Sequence, residues 1–122
     1  MNKKGDENRS VRHTKEKLQS SFITLMQEKQ ITQITVKELC DLADVNRGTF
    51  YCHYTDIYDL LTKMETAFFA AFESIFDGSP GKKYSASLTK NYLHAIFRFT
   101  YENRDFCHAL LGPHGDMAFV NR

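Results

Sequence analysis

The 122-residue sequence predicts an all-α protein. Three observations carry that expectation. Apolar residues recur at the three- and four-residue spacing of helices, as at Leu18, Phe22, Leu25 and Met26. Chain breakers gather in a few places, the longest being "DGSPGKKYS" at 77–85. No segment alternates apolar and polar residues with the period of two of a half-buried strand, and no internal repeat is present.

The spacing of Leu18, Phe22, Leu25 and Met26 predicts a first helix over 12–29, interrupted by "KQITQIT". Thr35 then fits an N-cap with Glu38 three residues on. Its hydroxyl accepts an orphan amide of the first turn, and the carboxylate is expected to return to the cap amide. This second helix ends near Ala43. Asp44 and Asn46 in the following "DVN" bond to local backbone or adopt the left-handed conformation, which competes with helix. A third helix spans 46–54. Thr55 and Asp56 cap a long fourth helix, whose stripe runs from Ile57 through Leu60, Leu61, Met64 and Phe68 to Ile75.

Beyond the break at 77–85, a fifth helix covers 86–102. Leu88, Tyr92, Leu93, Ile96, Phe97, Phe99 and Tyr101 occupy more than one of its faces, which predicts burial on several sides. "RDFCHALL" (104–111) predicts a short sixth helix stopped by Gly112 and Pro113. Helices four and five carry more apolar surface than three small helices can cover. A second copy, or further helices beyond Arg122, is expected to cover the rest. The elements divide into a head over 10–56 and a second helical region over 57–122, the latter expected to be incomplete.

Composition narrows the function. No run of eighteen apolar residues exists, so no membrane span is expected. "MNKKGDENRSVRHTKEK" lacks the apolar stretch of a secretory signal, and a cytoplasmic protein is the simplest expectation. Cys40, Cys52 and Cys107 are odd in number and lack CxxC spacing, which argues for reduced thiols over a disulfide framework or zinc site. His94, His108 and His114 lack ligand spacing, so neither metal nor cofactor is expected. Cys52 beside His53 is a poor nucleophile pair, because helical neighbours point about 100° apart and no orienting acid or amide is evident. No enzyme is expected. Residues 1–17 hold six basic and three acidic groups, whereas 57–122 hold seven of each. A basic arm on a neutral body can attract phosphate, although charge by itself favours a solubilising tail.

Helices two and three are short, adjacent and joined by a tight turn, with helix one to brace them. That describes a helix-turn-helix, whose second helix enters the DNA major groove. Val36, Leu39, Cys40, Val45 and Phe50 form its small core. Arg47 can bond guanine in bidentate fashion, and the Thr49 methyl can touch a thymine methyl. Tyr51 and His53, one turn later, suit phosphate oxygens. Thr35 marks a helix N-terminus that favours an anion. Gly48 either lets backbone approach DNA or lets helices pack closely. Tyr54 is assigned to the core ahead of any DNA role. Asn46, Tyr54, Arg12 and Lys37 complete the candidate DNA-binding set.

The stretch "ITVKELCDLADVNRGTFYCHYTDIYDLL" (34–61) resembles the DNA-binding domain of the TetR family of bacterial regulators. "TKEKLQSSFITLMQEK" (14–29) is similar to that family's supporting helix, and "GTFYxHY" is the most specific part. "FCHALLGPHGDMAF" (106–119) is similar to the sixth-helix region of one subgroup. The resemblance implies a transcription regulator, more often a repressor than an activator, that binds double-stranded operator DNA as a homodimer on a near-palindromic site. It implies Thr35 on a phosphate, Arg47, Gly48 and Thr49 facing the groove, and Tyr51 and His53 on phosphates. It also implies a regulatory domain in which phenylalanines such as Phe68, Phe72, Phe97 and Phe106 line a pocket for a small-molecule effector of unknown identity, whereas their helical spacing equally describes plain core.

Three positions depart from the family pattern. Asp44 stands where glycine is common, Asn46 where serine is common, and Ile57 where a lysine often opens helix four and reaches a phosphate. The basic arm is expected to compensate for Ile57. Two rival readings are a regulator working through a protein partner without an effector, and an all-helical protein-interaction module. Salt separates the latter from a DNA binder, because counterion release weakens DNA binding steeply as salt rises.

Overall fold

Six α-helices and one 3₁₀ turn make up the computed structural model, which describes residues 3–76 and 86–112. The helices are α1 (Lys3–Glu28), α2 (Val36–Ala43), α3 (Arg47–His53), α4 (Ile57–Ser74), α5 (Ala86–Glu102) and α6 (Arg104–Leu111); the 3₁₀ turn is Ile31–Gln33. Among the described residues there is no strand. The break at 77–85, His114 and the end of the "FCHALLGPHGDMAF" stretch lie outside them.

Helix α1 starts at Lys3 instead of near Arg12. Residues 8–13 are all exposed, so they carry no apolar period that could mark them as helical. The helix has 26 residues, about 39 Å at 1.5 Å per residue. Its second half builds the core, with Leu18, Phe22, Leu25 and Met26 buried. They pack in one cluster with Leu39, Cys40 and Ala43 of α2, Phe50 of α3, Leu60, Leu61 and Met64 of α4, and Phe106, Ala109 and Leu110 of α6. Each fully buried Leu or Phe contributes about 1.5–3 kcal/mol of transfer free energy.

The ends of α2 set the turn. Thr35 Oγ1 accepts the Glu38 amide at 3.0 Å, as predicted. The reciprocal half of the capping box does not form. Glu38 turns instead to Lys29, just past the end of α1, with Nζ to Oε2 at 2.6 Å. A cation in reach outcompetes a neutral amide for a carboxylate. At the other end Asp44 adopts φ 56° and ψ 50°. Its amide and that of Val45 both return to the Cys40 carbonyl, the latter at 3.0 Å. That is the pattern of a left-handed helix stop, here with half-buried Val45 packed on the core.

Asp56 caps α4 by accepting the Asp59 amide at 2.8 Å, and Asp59 Oδ2 accepts the Thr55 amide at 2.8 Å. The Thr55 amide holds the Asp59 carboxyl below the usual carboxylate range, and Lys63 adds a smaller push in the same direction. Ile57 is buried at 5% exposure, so its apolar character serves the core.

Helix α5 departs from its prediction. One face packs, with the Phe99 ring 5.0 Å from Phe68 and 5.7 Å from Phe72. The other face leaves Leu93, Phe97 and Tyr101 exposed by 51%, 71% and 68%. The apolar girth is two stripes, and the described residues cover one of them.

Candidate nucleic-acid interface

Helix α3 has seven residues, held at its start by Asn46, whose Oδ1 accepts the Gly48 amide at 2.9 Å. A step of 100° per residue orders its faces. Phe50, fully buried, and Tyr54, 4% exposed, define the inward line, their rings 5.5 Å apart. Gly48 and Cys52 lie on the opposite side and are exposed. Arg47 and Tyr51, four apart, form one exposed flank. Thr49 and His53, also four apart, form the other and are half-buried. α3 therefore presents Arg47, Gly48, Thr49, Tyr51 and Cys52 on a continuous outer surface, with His53 at its edge.

Of the predicted set, Tyr54 does not join this surface, because its ring belongs to the core. Asn46 is exposed but its side chain is engaged as the cap. Thr35 and Lys37 are exposed at the start of α2, the helix packed against α3. The first-turn carboxylate Glu38 is paired with Lys29, which leaves less negative charge at that N-terminus. Arg12 is exposed on the stretch of α1 that precedes the core-forming part.

Gly48 resolves one choice left open by the sequence. A Cβ added there would meet only Asn46 Oδ1, at 3.5 Å, an ordinary van der Waals distance. Among the described residues no neighbouring helix requires the glycine. Its absent side chain leaves open the middle of the exposed face.

Two residues at this surface carry no DNA role on sequence grounds. Cys52 shares the outer line of α3 with Gly48, and the sequence presents it only as a poor nucleophile. The 100° step that rejects that pairing also turns Cys52 away from Phe50 and Tyr54. Lys63 of α4 reaches back to α3, with Nζ 3.1 Å from the His53 carbonyl oxygen. An interaction between residues ten apart on two helices leaves no local sequence signal. The buried Cys40 thiol is pushed up by burial and by Asp41, with Arg47 partly opposing. The described residues contain no group of three or more His, Cys, Asp or Glu that could hold a metal, and no helix long and apolar enough to cross a membrane. Behind the head, a cleft of about 230 Å³ between α1, α4, α5 and α6 is lined by Ile23, Met64, Phe68, Phe99 and Phe106, with Gln19 and Asn103 as polar members.

No protein-family model and no solved structure matches the chain. A curated relative does. Over 97 residues the chain is 27% identical to the uncharacterized HTH-type transcriptional regulator YxbF of Bacillus subtilis (strain 168), an alignment that takes in 73% of this chain. The chain spans about a quarter of that relative's length, 24%. Short paired helices, an open outer face on the second of them and the match to an HTH-type transcriptional regulator make this chain similar to such a regulator.

Proposed function

We propose that the chain is a DNA-binding transcription regulator of the TetR kind, most often acting as a repressor, that reads operator DNA with α3. Residues 10–56 form the reading head and residues 57–122 belong to the regulatory and dimerising region. The observation that carries the reading is Gly48. A helical glycine costs stability relative to alanine, and among the described residues no neighbour requires it. An external surface that approaches the backbone does. Arg47 and Thr49 then meet base edges, Tyr51 and His53 meet phosphates, and Thr35, Lys37 and Arg12 add further phosphate partners. The similarity to a helix-turn-helix regulator supports the same reading.

The proposal includes a cytoplasmic homodimer with heads on half-sites about 34–36 Å apart. The exposed stripe Leu93, Phe97 and Tyr101 supports a further helical interface in the second region. The effector, where one acts, is an unidentified small molecule.

Two substitutions test the roles. Selection from random duplex DNA supplies the operator, and a scrambled duplex supplies the reference. Arg47→Ala should cost about 1–3 kcal/mol at one operator position and relax preference there. Tyr51→Phe should weaken binding to both duplexes alike, because it removes only a hydroxyl that bonds phosphate. The opposite pattern, in which Tyr51→Phe alone changes the ratio of affinities, would reject the assignment. A chain whose duplex affinity ignores salt would reject DNA binding.

A further inference from the structure

Lys63 lies in the second turn of α4, outside the groups assigned to DNA above, and it joins three neighbours. Its Nζ donates to the His53 carbonyl oxygen at 3.1 Å, pairs with Asp59 Oδ2 at 3.2 Å, and stands 5.5 Å from the centroid of the Tyr54 ring. His53 is the last residue of α3. A helix end leaves carbonyls without partners, and its dipole favours a cation there. Asp59 is itself anchored, because its carboxylate accepts the Thr55 amide and its own amide donates to Asp56. The end of α3, the 54–56 connection and the first turns of α4 thus form one hydrogen-bonded unit with Lys63 as its bridge. Asn46 holds the other end of α3.

We propose that Lys63 is a positioning residue that ties the C-terminal end of α3 to α4 and thereby sets the sequence preference of the reading helix without touching DNA. The proposal rests on the DNA-binding reading above. Geometry explains why preference is the sensitive quantity. Seven residues span about 10 Å, so a 10° tilt about the C-terminal end moves the Arg47 end by about 2 Å. Hydrogen bonds to base edges tolerate only a few tenths of an ångström around 2.7–3.2 Å. Long side chains on phosphates follow such a tilt easily. Stability is the wrong readout, because the Lys63 side chain is 55% exposed and exposed ion pairs contribute little.

The experiment compares the full wild-type chain with Lys63→Met, which keeps the stem and removes the cation, and Lys63→Arg, which restores a donor. Affinities for the selected operator and the scrambled duplex are measured across salt, and amide exchange is followed in the free protein. Lys63→Met should lower the operator-to-scrambled ratio roughly five- to tenfold, about 1–1.4 kcal/mol. Scrambled affinity and salt slope should stay unchanged, the amides at the end of α3 should exchange faster, and Lys63→Arg should recover both properties. A parallel weakening on both duplexes, with a slope shallower by about 0.9, makes Lys63 a phosphate-binding residue and overturns the proposal. An unchanged ratio overturns it as well. A wild-type chain without salt-dependent duplex binding overturns the DNA reading and the preference together. Even then, unaltered exchange in Lys63→Met would show separately that Lys63 does not hold α3.

Discussion

Gly48→Ala should make the free protein more stable and its DNA complex weaker. Alanine exceeds glycine in a helix interior by up to about 1 kcal/mol. Gly48 sits in the first turn of α3, where its amide is already held by Asn46, so about 0.5 kcal/mol is the expected gain. The new methyl would stand 3.5 Å from Asn46 Oδ1 and near no other described residue, so no packing penalty offsets that gain. In the complex the same methyl enters the space between α3 and the groove. Overpacking of one methyl-sized group costs about 1–3 kcal/mol, which weakens affinity roughly five- to 150-fold. Thermal or denaturant unfolding measures the first quantity, and duplex titration at fixed salt measures the second. A variant that is stabilised and binds as tightly as wild type would refute the close approach of α3 backbone to DNA. A destabilised variant would refute the claim that the fold makes no demand on Gly48.

Asp44→Gly should stabilise the chain by up to about 1 kcal/mol, because the φ of 56° strains a residue bearing Cβ by more than glycine's extra unfolded entropy takes back. Asp44→Val should destabilise it by at least about 1–2 kcal/mol, and equal melting of the two variants would contradict the strain argument. Thiol labelling of the native protein should strike exposed Cys52 first, since burial pushes the Cys40 and Cys107 thiols up and only the thiolate reacts. Duplex DNA should slow labelling of Cys52 and leave Cys107 unaffected; a Cys52 rate indifferent to saturating duplex would remove α3 from the interface. Deleting residues 1–9, which hold Lys3, Lys4 and Arg9, should make the plot of log affinity against log salt shallower by about 0.9 for each phosphate those cations neutralise. An unchanged slope would leave the arm as a solubilising segment.

The helices were legible wherever one face is buried, because burial imposes the apolar period. Leu18 to Met26, Ile57 to Met64 and the "RDFCHALL" segment are of this kind, and their helices fall close to where the spacing put them. The start of α1 was not legible, since residues 8–13 touch no core and carry no period. Local chemistry was readable at Thr35, Asp44 and Asp56, where cap and turn depend on neighbours in sequence. It failed at Glu38, whose partner Lys29 lies across the 3₁₀ turn. Helix α5 misled for another reason. Apolar residues around its girth say that surface needs cover but not which chain supplies it. On α3 the sequence separated Phe50 from Arg47 and Tyr51. It missed the outward line of Cys52, because a thiol beside a histidine draws attention to its chemistry and away from its face. The tie from Lys63 is tertiary and leaves no mark on either helix's own pattern.

The exposed leading stretch of α1 has a thermodynamic consequence. Among the residues whose burial is described, its first buried one is Leu18, and residues 8–13 are all exposed, so the helicity of those exposed turns draws little on packing, and short unsupported helices are marginal in water. Arg9, Arg12 and Lys15 follow one another at i, i+3, a line of like charges that opposes the helix. Any polyanion that neutralises this line also favours the coil-to-helix transition, and by reciprocity a formed helix binds the polyanion more tightly. Dissolved salt therefore acts twice with opposite sign. It screens the repulsion and firms the leading turns of the free chain, while it weakens the attraction of the same turns to a polyanion.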